Sequence, residues 1–371
     1  MARKKFSAAK LGLLHFMTLE LKNVAKRVGA EMHIYPTDLR FERGSFNVLL
    51  GTTLAGKTTM MQLMAGIQKP TGGEIWFDGK DVTRTPVQKR NVSVVYQQFI
   101  NYPNFTVYEN IASPLRVAKL PESEIKARVG KFADLLRLTP MLGRKPSELS
   151  GGQQQRTAMA RALVKDADLV LLDEPLANLD FKLREELREE LPRLFHDRDC
   201  IVVYATTEPT EALLFGGNTA AMQEGRVTQF GPTGEIYRQP QDLTTARVFS
   251  EPPMNVAEVT KAGNQFSLDG VINWHATGKL ISLPDGQYTF GIRPHHVTPA
   301  KPVGESVKVN GAVKVAELSG SESIIHFDML GNPWVSLTAG IHPYSAGQKA
   351  ELYMDVAHGF YFAADGKLIG M

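Results

Sequence analysis

The chain has 371 residues, with 42 Lys and Arg against 39 Asp and Glu, a formal net charge of +3, and one cysteine. Because a single hydrophobic core stops growing at about 250–300 residues, we expect at least two domains. This net charge is too small to favour nucleic-acid binding. The single cysteine, Cys200, excludes an internal disulfide and fits a reducing compartment. No stretch of the chain approaches the ~18 apolar residues of a membrane-spanning helix.

The first residues differ in composition from the rest of the chain. Residues 1–16 contain lysine and arginine but no acidic residue. The apolar run Leu11–Phe16 is short for the core of a signal peptide and has no small-residue cleavage site after it. We therefore expect a disordered basic extension, or a natural start at Met17. The alternative is a helix that lies on a membrane surface.

A phosphate-binding pattern follows the first strand-rich region. Ser45–Leu50 reads as a buried strand and Thr59–Met64 as the start of a helix, and the segment between them ends in Lys57 and Thr58. Free N–H groups and the helix dipole favour phosphate at such a helix start. The predicted nucleotide-binding residues are Gly51, Thr52, Thr53, Leu54, Ala55, Gly56, Lys57, Thr58 and Thr59.

Two further motifs support the phosphate-binding interpretation. Leu149–Arg156 opens a predicted helix with a serine and paired glycines, which let backbone N–H groups approach an anion. Leu169–Pro175 is an apolar strand that ends in two carboxylates. Asp173 suits the coordination shell of Mg²⁺, and Glu174 suits the base that polarises an attacking water.

The middle of the chain has helical spacing. Residues 121–165 are predicted to be mainly helical, Lys182–Phe195 to be a long charged helix, and Cys200–Tyr204 to be a strand. The methionines that follow the phosphate loop are expected to pack in the core, since sulfur ligands are the less favoured interpretation. They are Met60, Met61 and Met64.

From about residue 240 short β-like runs alternate with Gly, Pro, Asn and Asp, which is typical of a small barrel. The predicted strands are Gln265–Leu268, Val307–Val309, Ala312–Val315, Ser323–Phe327 and Lys349–Tyr353. The pair His295-His296 is not expected to bind metal, because neighbouring residues of a strand point to opposite faces.

With these motifs in order, the chain resembles ATP-binding-cassette ATPases from about Leu19 to its C-terminus. Within that family it is most similar to the ATPase subunits of carbohydrate and polyol importers of the maltose and glycerol-phosphate type. The segments that carry this resemblance are Val95–Asn110, Ser250–Asn255 and Gly291–Pro294. It implies an α/β P-loop domain at 17–240 with a helical subdomain at about 99–165, and an all-β regulatory domain at 241–371 that resembles an oligonucleotide-binding (OB) fold.

The resemblance also implies roles for individual residues. Two cassettes of this family pair head to tail, so that each ATP lies between one phosphate loop and the other subunit's signature motif. Ser150 and Gly152 would serve the partner's ATP, and the further implied nucleotide-binding residues of this region are Gly151, Gln153 and Asp180. The implied Mg²⁺ ligands are Thr58, Gln97 and Asp173, and Gln97 would also sense the γ-phosphate.

Three positions depart from the family pattern. Thr207 stands where a histidine would hold the γ-phosphate and the attacking water, and a threonine is too short and never cationic. Leu54 replaces a loop glycine, and we expect it to lose access to positive φ. Val28 replaces an aromatic residue that would stack on adenine. These departures predict ATP binding with slow hydrolysis.

The combination of a complete signature motif with a defective site predicts the degenerate half of a heterodimer. The expected partners are a second ATPase, two membrane permeases and, indirectly, a periplasmic solute-binding protein, at the cytoplasmic face of the inner membrane. Glycerol is the favoured solute by analogy. The alternatives are a homodimeric sugar-importer ATPase, a regulatory cassette with little hydrolysis, and a non-transport cassette protein.

Overall fold

The computed structural model describes residues 18–177, 179–196, 198–302, 304 and 306–371. The basic extension predicted at residues 1–16 lies outside the described residues. The described chain divides into two compact units between Thr233 and Gly234.

The first unit is built from strands and helices that alternate along most of its length. Its strands are β1 (Thr18–Val28), β2 (Glu31–Glu42), β3 (Phe46–Gly51), β4 (Gly72–Phe77), β5 (Lys80–Asp81), β6 (Val92–Val95), β7 (Leu169–Asp173), β8 (Ile201–Thr206), β9 (Asn218–Gln223) and β10 (Arg226–Pro232). Its helices are α1 (Lys57–Ala65), α2 (Val107–Val117), α3 (Glu122–Leu135), α4 (Gly151–Leu163), α5 (Phe181–His196) and α6 (Pro209–Phe215).

Two sheets organise this unit. An antiparallel sheet has the order β2-β1-β4-β5, and a six-stranded sheet has the order β10-β9-β3-β8-β7-β6, in which every pair except β9 and β10 is parallel. Parallel strands covered on both faces need continuous apolar sequences. The strand β7 fits this rule, since each of its residues is buried. The methionines after the phosphate loop are buried in the core between the sheets and α1, which confirms their predicted role.

The helical subdomain contains α2, α3 and α4. Two of these helices start with capping boxes: Thr106 and Glu109 at α2, and Ser150 and Gln153 at α4. In each box the side chains satisfy backbone N–H groups that a helix start leaves free. The sequence of the signature segment therefore fixes the start of α4. No helix in the described part of the chain is both long and apolar enough to cross a membrane.

The second unit is mainly β-structure. Its helices are α7 (Thr233–Arg238, which begins at the last residue of the first unit) and α8 (Leu243–Val248). Its strands are β11 (Asn255–Ala262), β12 (Gln265–Leu268), β13 (Ile272–His275), β14 (Gly286–Ile292), β15 (Val297–Thr298), β16 (Val307–Leu318), β17 (Glu322–Met329), β18 (Asn332–Ala339), β19 (Lys349–Met354), β20 (Phe360–Phe362) and β21 (Leu368–Gly370). They form a six-stranded sheet in the order β13-β12-β11-β14-β20-β21 and a five-stranded sheet in the order β15-β19-β16-β17-β18.

Two predictions for this unit were wrong in detail. The two runs Val307–Val309 and Ala312–Val315 form one strand, β16, because Gly311 continues the pairing with β19 instead of making a turn. A Cβ at Gly311 would lie 2.4 Å from the Phe327 ring, so the glycine serves close packing. His295-His296 lies in a 3₁₀ turn and not in a strand, so the argument from alternating faces does not apply there.

A buried polar network fixes the turn after β8. The carboxylate of Glu211 accepts hydrogen bonds from the Tyr204 hydroxyl at 2.9 Å and the Thr206 hydroxyl at 2.6 Å, and it pairs with Arg188 at 3.3 Å. Burial and the nearby Glu211 charge raise the pKa of Tyr204 well above its usual value. Thr206 in turn accepts a hydrogen bond from the backbone N–H of Glu208. The network therefore sets the backbone on both sides of position 207.

Glu211→Ala is expected to lower the free energy of unfolding by about 2–4 kcal/mol, because it leaves the buried tyrosine hydroxyl without an acceptor and removes one buried partner of Arg188. Urea denaturation measures the change. Glu190→Ala is the matched control, since Glu190 pairs with Arg193 on an exposed face of α5 and should contribute no more than about 1 kcal/mol. Equal effects of the two substitutions would contradict the structural role of the network.

Candidate nucleotide-binding site

The ends of the parallel strands bring the predicted site residues to one edge of the sheet. In β3 and β8, Leu50 lies opposite Thr206, and in β7 and β8, Asp173 lies opposite Ala205. The carboxyl end of an open parallel sheet is the usual position of a ligand site. The phosphate loop follows β3, and Glu174 follows β7. Thr207, which directly follows β8, therefore emerges at the same edge.

Glycines let the phosphate loop turn closely against the rest of the unit. Gly56 has φ of 101° and caps the start of α1. A Cβ on Gly56 would lie 2.9 Å from Ile34, and a Cβ on Gly51 would lie 2.3 Å from the carbonyl oxygen of Met222. Neither position has room for a side chain. The loop is thereby held at the N-terminus of α1, where N–H groups without intrahelical partners can bind phosphate.

Lys57 is buried beneath this loop. Its ammonium donates hydrogen bonds to the carbonyl oxygens of Gly51 at 2.8 Å and Thr52 at 3.1 Å, and it lies 3.4 Å from a carboxylate oxygen of Glu174. Burial lowers the pKa of Lys57, and the charge of Glu174 opposes that shift. Two carbonyl oxygens and one carboxylate oxygen thus surround the Lys57 ammonium at the phosphate loop.

Asp173 and Thr58 form the candidate metal site. The Thr58 hydroxyl donates to Oδ2 of Asp173 at 2.8 Å. The other oxygen, Oδ1, is buried and has no hydrogen-bond partner within the described residues. Burial raises the pKa of Asp173, while the hydrogen bond from Thr58 opposes the shift. A buried carboxylate oxygen without a partner, next to a hydroxyl, fits the oxygen ligands that Mg²⁺ requires.

Glu174 is held between two side chains of the site. The Gln97 amide donates to its Oε2 at 3.1 Å, and the Lys57 ammonium lies near its Oε1. Its backbone has φ of 45°, which is unfavourable for a residue with a side chain. Its N–H donates to the carbonyl oxygen of Ala205, which ties this conformation to β8. Strain of this kind is typical of functional positions.

These side chains open onto a cleft of ≈ 690 Å³ in the first unit. Its lining includes the predicted residues Thr53, Leu54, Ala55, Gly56, Lys57, Thr58, Thr59, Gln97 and Glu174. It also includes residues that the sequence analysis missed, from β2 and from the turn between β9 and β10: Glu31, Met32, His33, Tyr35, Glu224 and Gly225. No local motif marks them, because they come together only through the tertiary contact of these segments.

Other predicted residues lie outside the lining of this cleft. Val28, at the end of β1, is 48% exposed and does not line it. Tyr35, by contrast, does line the cleft, and the Arg226 guanidinium covers its ring at 3.4 Å. Thr207 is exposed at the turn after β8.

The signature residues also lie apart from the cleft. Ser150 is exposed at the start of α4, followed by Gly151, Gly152 and Gln153, and none of these lines it. Asp180 is exposed and accepts a hydrogen bond from the N–H of Leu183, which caps the start of α5.

The expectation for Leu54 was wrong. It adopts a positive φ of 69° in spite of its side chain, which is 93% exposed. The residues on both sides of Leu54 are held in the closed loop, which imposes this conformation. Because the Leu54 side chain is exposed, it adds no steric clash. The cost is backbone strain, on the order of 1–2 kcal/mol.

Comparison with known proteins agrees with this geometry. Residues 35–177 match the family model described as ABC transporter. The chain is 33% identical over 93% of its length to the sn-glycerol-3-phosphate import ATP-binding protein UgpC of Ralstonia nicotianae, covering 96% of that protein. It is 33% identical over 94% of its length to the alpha-glucoside transport ATP-binding protein AglK of Rhizobium meliloti, covering 98% of that protein.

Solved structures match the first part of the chain. The ATP-binding cassette MJ0796, in a dimeric post-hydrolysis state bound to ADP and Pi, has a TM-score of 0.53 and 29% identity, and the match covers 58% of this chain and 98% of that one. The predicted fold class, an ABC-type α/β cassette with a helical subdomain followed by an all-β OB-like region, is thereby confirmed. The chain belongs to the ATP-binding-cassette transporter family and is an ABC-type ATPase.

Proposed function

We propose that this chain is the ATP-binding subunit of a bacterial importer for glycerol or a related polyol or sugar, and that it works as a heterodimer with a second, different ATPase. Relatives named for glycerol-phosphate import and alpha-glucoside transport support the importer class. The remaining partners would be two membrane permeases and, indirectly, a periplasmic solute-binding protein. The subunit would then sit peripherally on the cytoplasmic face of the inner membrane.

An apolar surface supports a permease partner. In the helical subdomain, Ile100 is 65% exposed and Val117 is 83% exposed. A groove of ≈ 360 Å³ nearby is lined by Tyr102, Pro114 and Val117. Exposed apolar side chains beside a groove are typical of a protein–protein interface. This surface includes part of Val95–Asn110, which the family resemblance assigns to contact with the membrane subunit.

The cleft supports nucleotide binding by this chain. Thr58, Asp173 and Gln97 would hold Mg²⁺, which would neutralise phosphate charge when bound. Lys57 supplies a buried cation below the loop, and Glu174 supplies a carboxylate that can accept a proton from water. The Glu174 carboxylate is paired with Lys57 and Gln97, so it must leave these partners before it can act as a base.

The observation that carries the proposal is Thr207. It directly follows β8 at the sheet edge where Glu174 follows β7. The family resemblance places at this position a histidine that would hold the γ-phosphate and the attacking water. The Glu211 network fixes the backbone on both sides of this position, so the backbone cannot move forward to compensate for a short side chain. Loss of such a positioning group costs on the order of 10²–10³ in rate, by analogy with lost transition-state donors.

In contrast to position 207, the signature motif that would face a partner subunit is complete. Ser150 is exposed and held by the capping box with Gln153, so its hydroxyl and the first N–H groups of α4 are ordered at the surface. A homodimer would combine two sites that lack the histidine. A heterodimer with an ordinary cassette would keep one complete site, built from the partner's phosphate loop and this chain's signature motif.

The isolated subunit is expected to bind Mg²⁺-ATP weakly and to hydrolyse it slowly. Thr207→His should raise its turnover by up to about 10²-fold if the missing side chain is the larger defect. Steady-state ATPase assays measure this, with Thr210→His as the control, since Thr210 is a nearby exposed threonine. Wild-type turnover equal to that of an ordinary importer ATPase would refute the degenerate site.

In the reconstituted importer, Glu174→Gln in this subunit is expected to lower solute-stimulated ATPase activity less than about 2-fold, since a site already slowed by ~10²–10³ contributes little. Ser150→Arg should lower the activity by more than about 10-fold, because a bulky cation would obstruct the partner's complete site. Ser147→Arg, in the exposed turn before the motif, is the matched control. The reverse ranking of Glu174→Gln and Ser150→Arg would show that this chain is not the degenerate half.

Leu54→Gly is expected to raise the free energy of unfolding by about 0.5–1 kcal/mol, because relief of 1–2 kcal/mol of strain exceeds the added flexibility of the unfolded chain. Leu54→Ala removes the exposed side chain but keeps Cβ, so it should give no such gain. Urea denaturation of both variants makes the comparison. Equal stabilities would mean that the positive φ at Leu54 is not strained.

A further inference from the structure

We propose that His296, Asp355 and His358 form a binding site for a divalent transition-metal ion in the second unit. Each residue offers one ligand atom, and these atoms all lie within 4.8 Å of one another. The cluster is independent of the nucleotide cleft and of the importer role. His296 ends the 3₁₀ turn Pro294–His296 after β14, and Asp355 precedes the 3₁₀ turn Val356–His358 after β19.

Backbone hydrogen bonds hold the two turns together without a metal ion. The N–H of Asp355 donates to the carbonyl oxygen of His296 at 2.9 Å, and the N–H of His358 donates to the carbonyl oxygen of Asp355 at 3.1 Å. The N–H of His296 donates to the carbonyl oxygen of Arg293 at 3.0 Å. The fold therefore sets the backbone positions of the three ligands, and only their side chains would have to adjust to an ion.

The ligand types select the class of ion. Two imidazoles and one carboxylate suit Zn²⁺, Co²⁺ and Ni²⁺, whereas Mg²⁺ and Ca²⁺ prefer sites made of oxygen alone. Three protein ligands would leave at least one position for water or another ligand. Oδ2 of Asp355 and Nδ1 of His358 lie 2.9 Å apart, so an ion that binds both would take the place of the proton between them. Metal binding would release that proton, since the ligand atoms must be deprotonated.

The histidine rings define the movement that binding requires. The rings of His296 and His358 stack 4.2 Å apart with an angle of 8° between their planes. An imidazole binds metal along the lone pair in its own plane, so two parallel rings cannot both point at one ion without a turn of one ring. The His358 side chain is 57% exposed and has room to turn. His296 is partly buried and would stay as the fixed ligand.

The experiment is a titration of the full-length, nucleotide-free protein with Co²⁺, followed by its visible absorption, and with Zn²⁺, followed by calorimetry. One equivalent of each ion is expected to bind to the wild-type chain. His296→Ala and His358→Ala should each weaken binding by more than about 100-fold, since loss of a direct ligand costs more than the 10–100-fold of an outer partner. His342→Ala, which removes a half-buried histidine elsewhere in this unit, should leave binding unchanged.

Two further variants keep the test decisive. Asp173→Asn removes the candidate Mg²⁺ ligand of the cassette, so metal bound to the proposed site must persist in it. His358→Gln replaces an exposed side chain conservatively and serves if His296→Ala fails to fold, as judged by circular dichroism. Binding that is equal in the wild type and in both His358 variants, or the absence of saturable binding to the wild type, would overturn the proposal.

Discussion

The parallel pairing of β3, β7 and β8 is the constraint on which the nucleotide site depends. It places the phosphate loop, the two carboxylates and position 207 at one edge of the sheet although they lie far apart in sequence. A shift of one residue in this pairing would turn alternate side chains to the other face of the sheet. Nearly every residue of these strands is buried, so such a shift would force close-packed side chains out of their positions on both faces. Core packing thus sets the geometry of the chemical groups.

The charged side chains of the cleft have partners within the protein. The Lys57 ammonium lies near Glu174 and below carbonyl oxygens of the loop, while Asp173 is held by Thr58. Burial shifts the pKa of Lys57 down and that of Asp173 up, which for both groups disfavours the charged form. A phosphate group beside Lys57 and a metal ion beside Asp173 would each favour the charged form of its neighbour. Binding of the anion and the cation would therefore offset the effect of burial on both residues.

The sequence predicted most of the cassette because its motifs are local. The phosphate loop, the capped start of α4 and the apolar strand β7 can each be recognised from a short run of consecutive residues. What it missed depends on contacts between distant segments: Met32, His33 and Tyr35 reach the cleft from β2, and Asp355 approaches His296 only through the fold of the second unit. The error at Leu54 has a different cause. Intrinsic preference argues against positive φ, but a loop closed by its neighbours can impose it.

On the proposed role, the departures from the family pattern separate binding from hydrolysis. Charge on Lys57 and Asp173 attracts phosphate and metal whatever occupies position 207, so the cleft can still bind nucleotide. Hydrolysis needs in addition a group that positions water against Glu174, and the rigid turn at Thr207 offers only a short hydroxyl. A subunit of this kind could use bound nucleotide to close the dimer while the partner subunit hydrolyses the ATP at its own site. In the proposed heterodimer, the difference between the two subunits would then follow from the geometry at the end of β8, without any change in the fold.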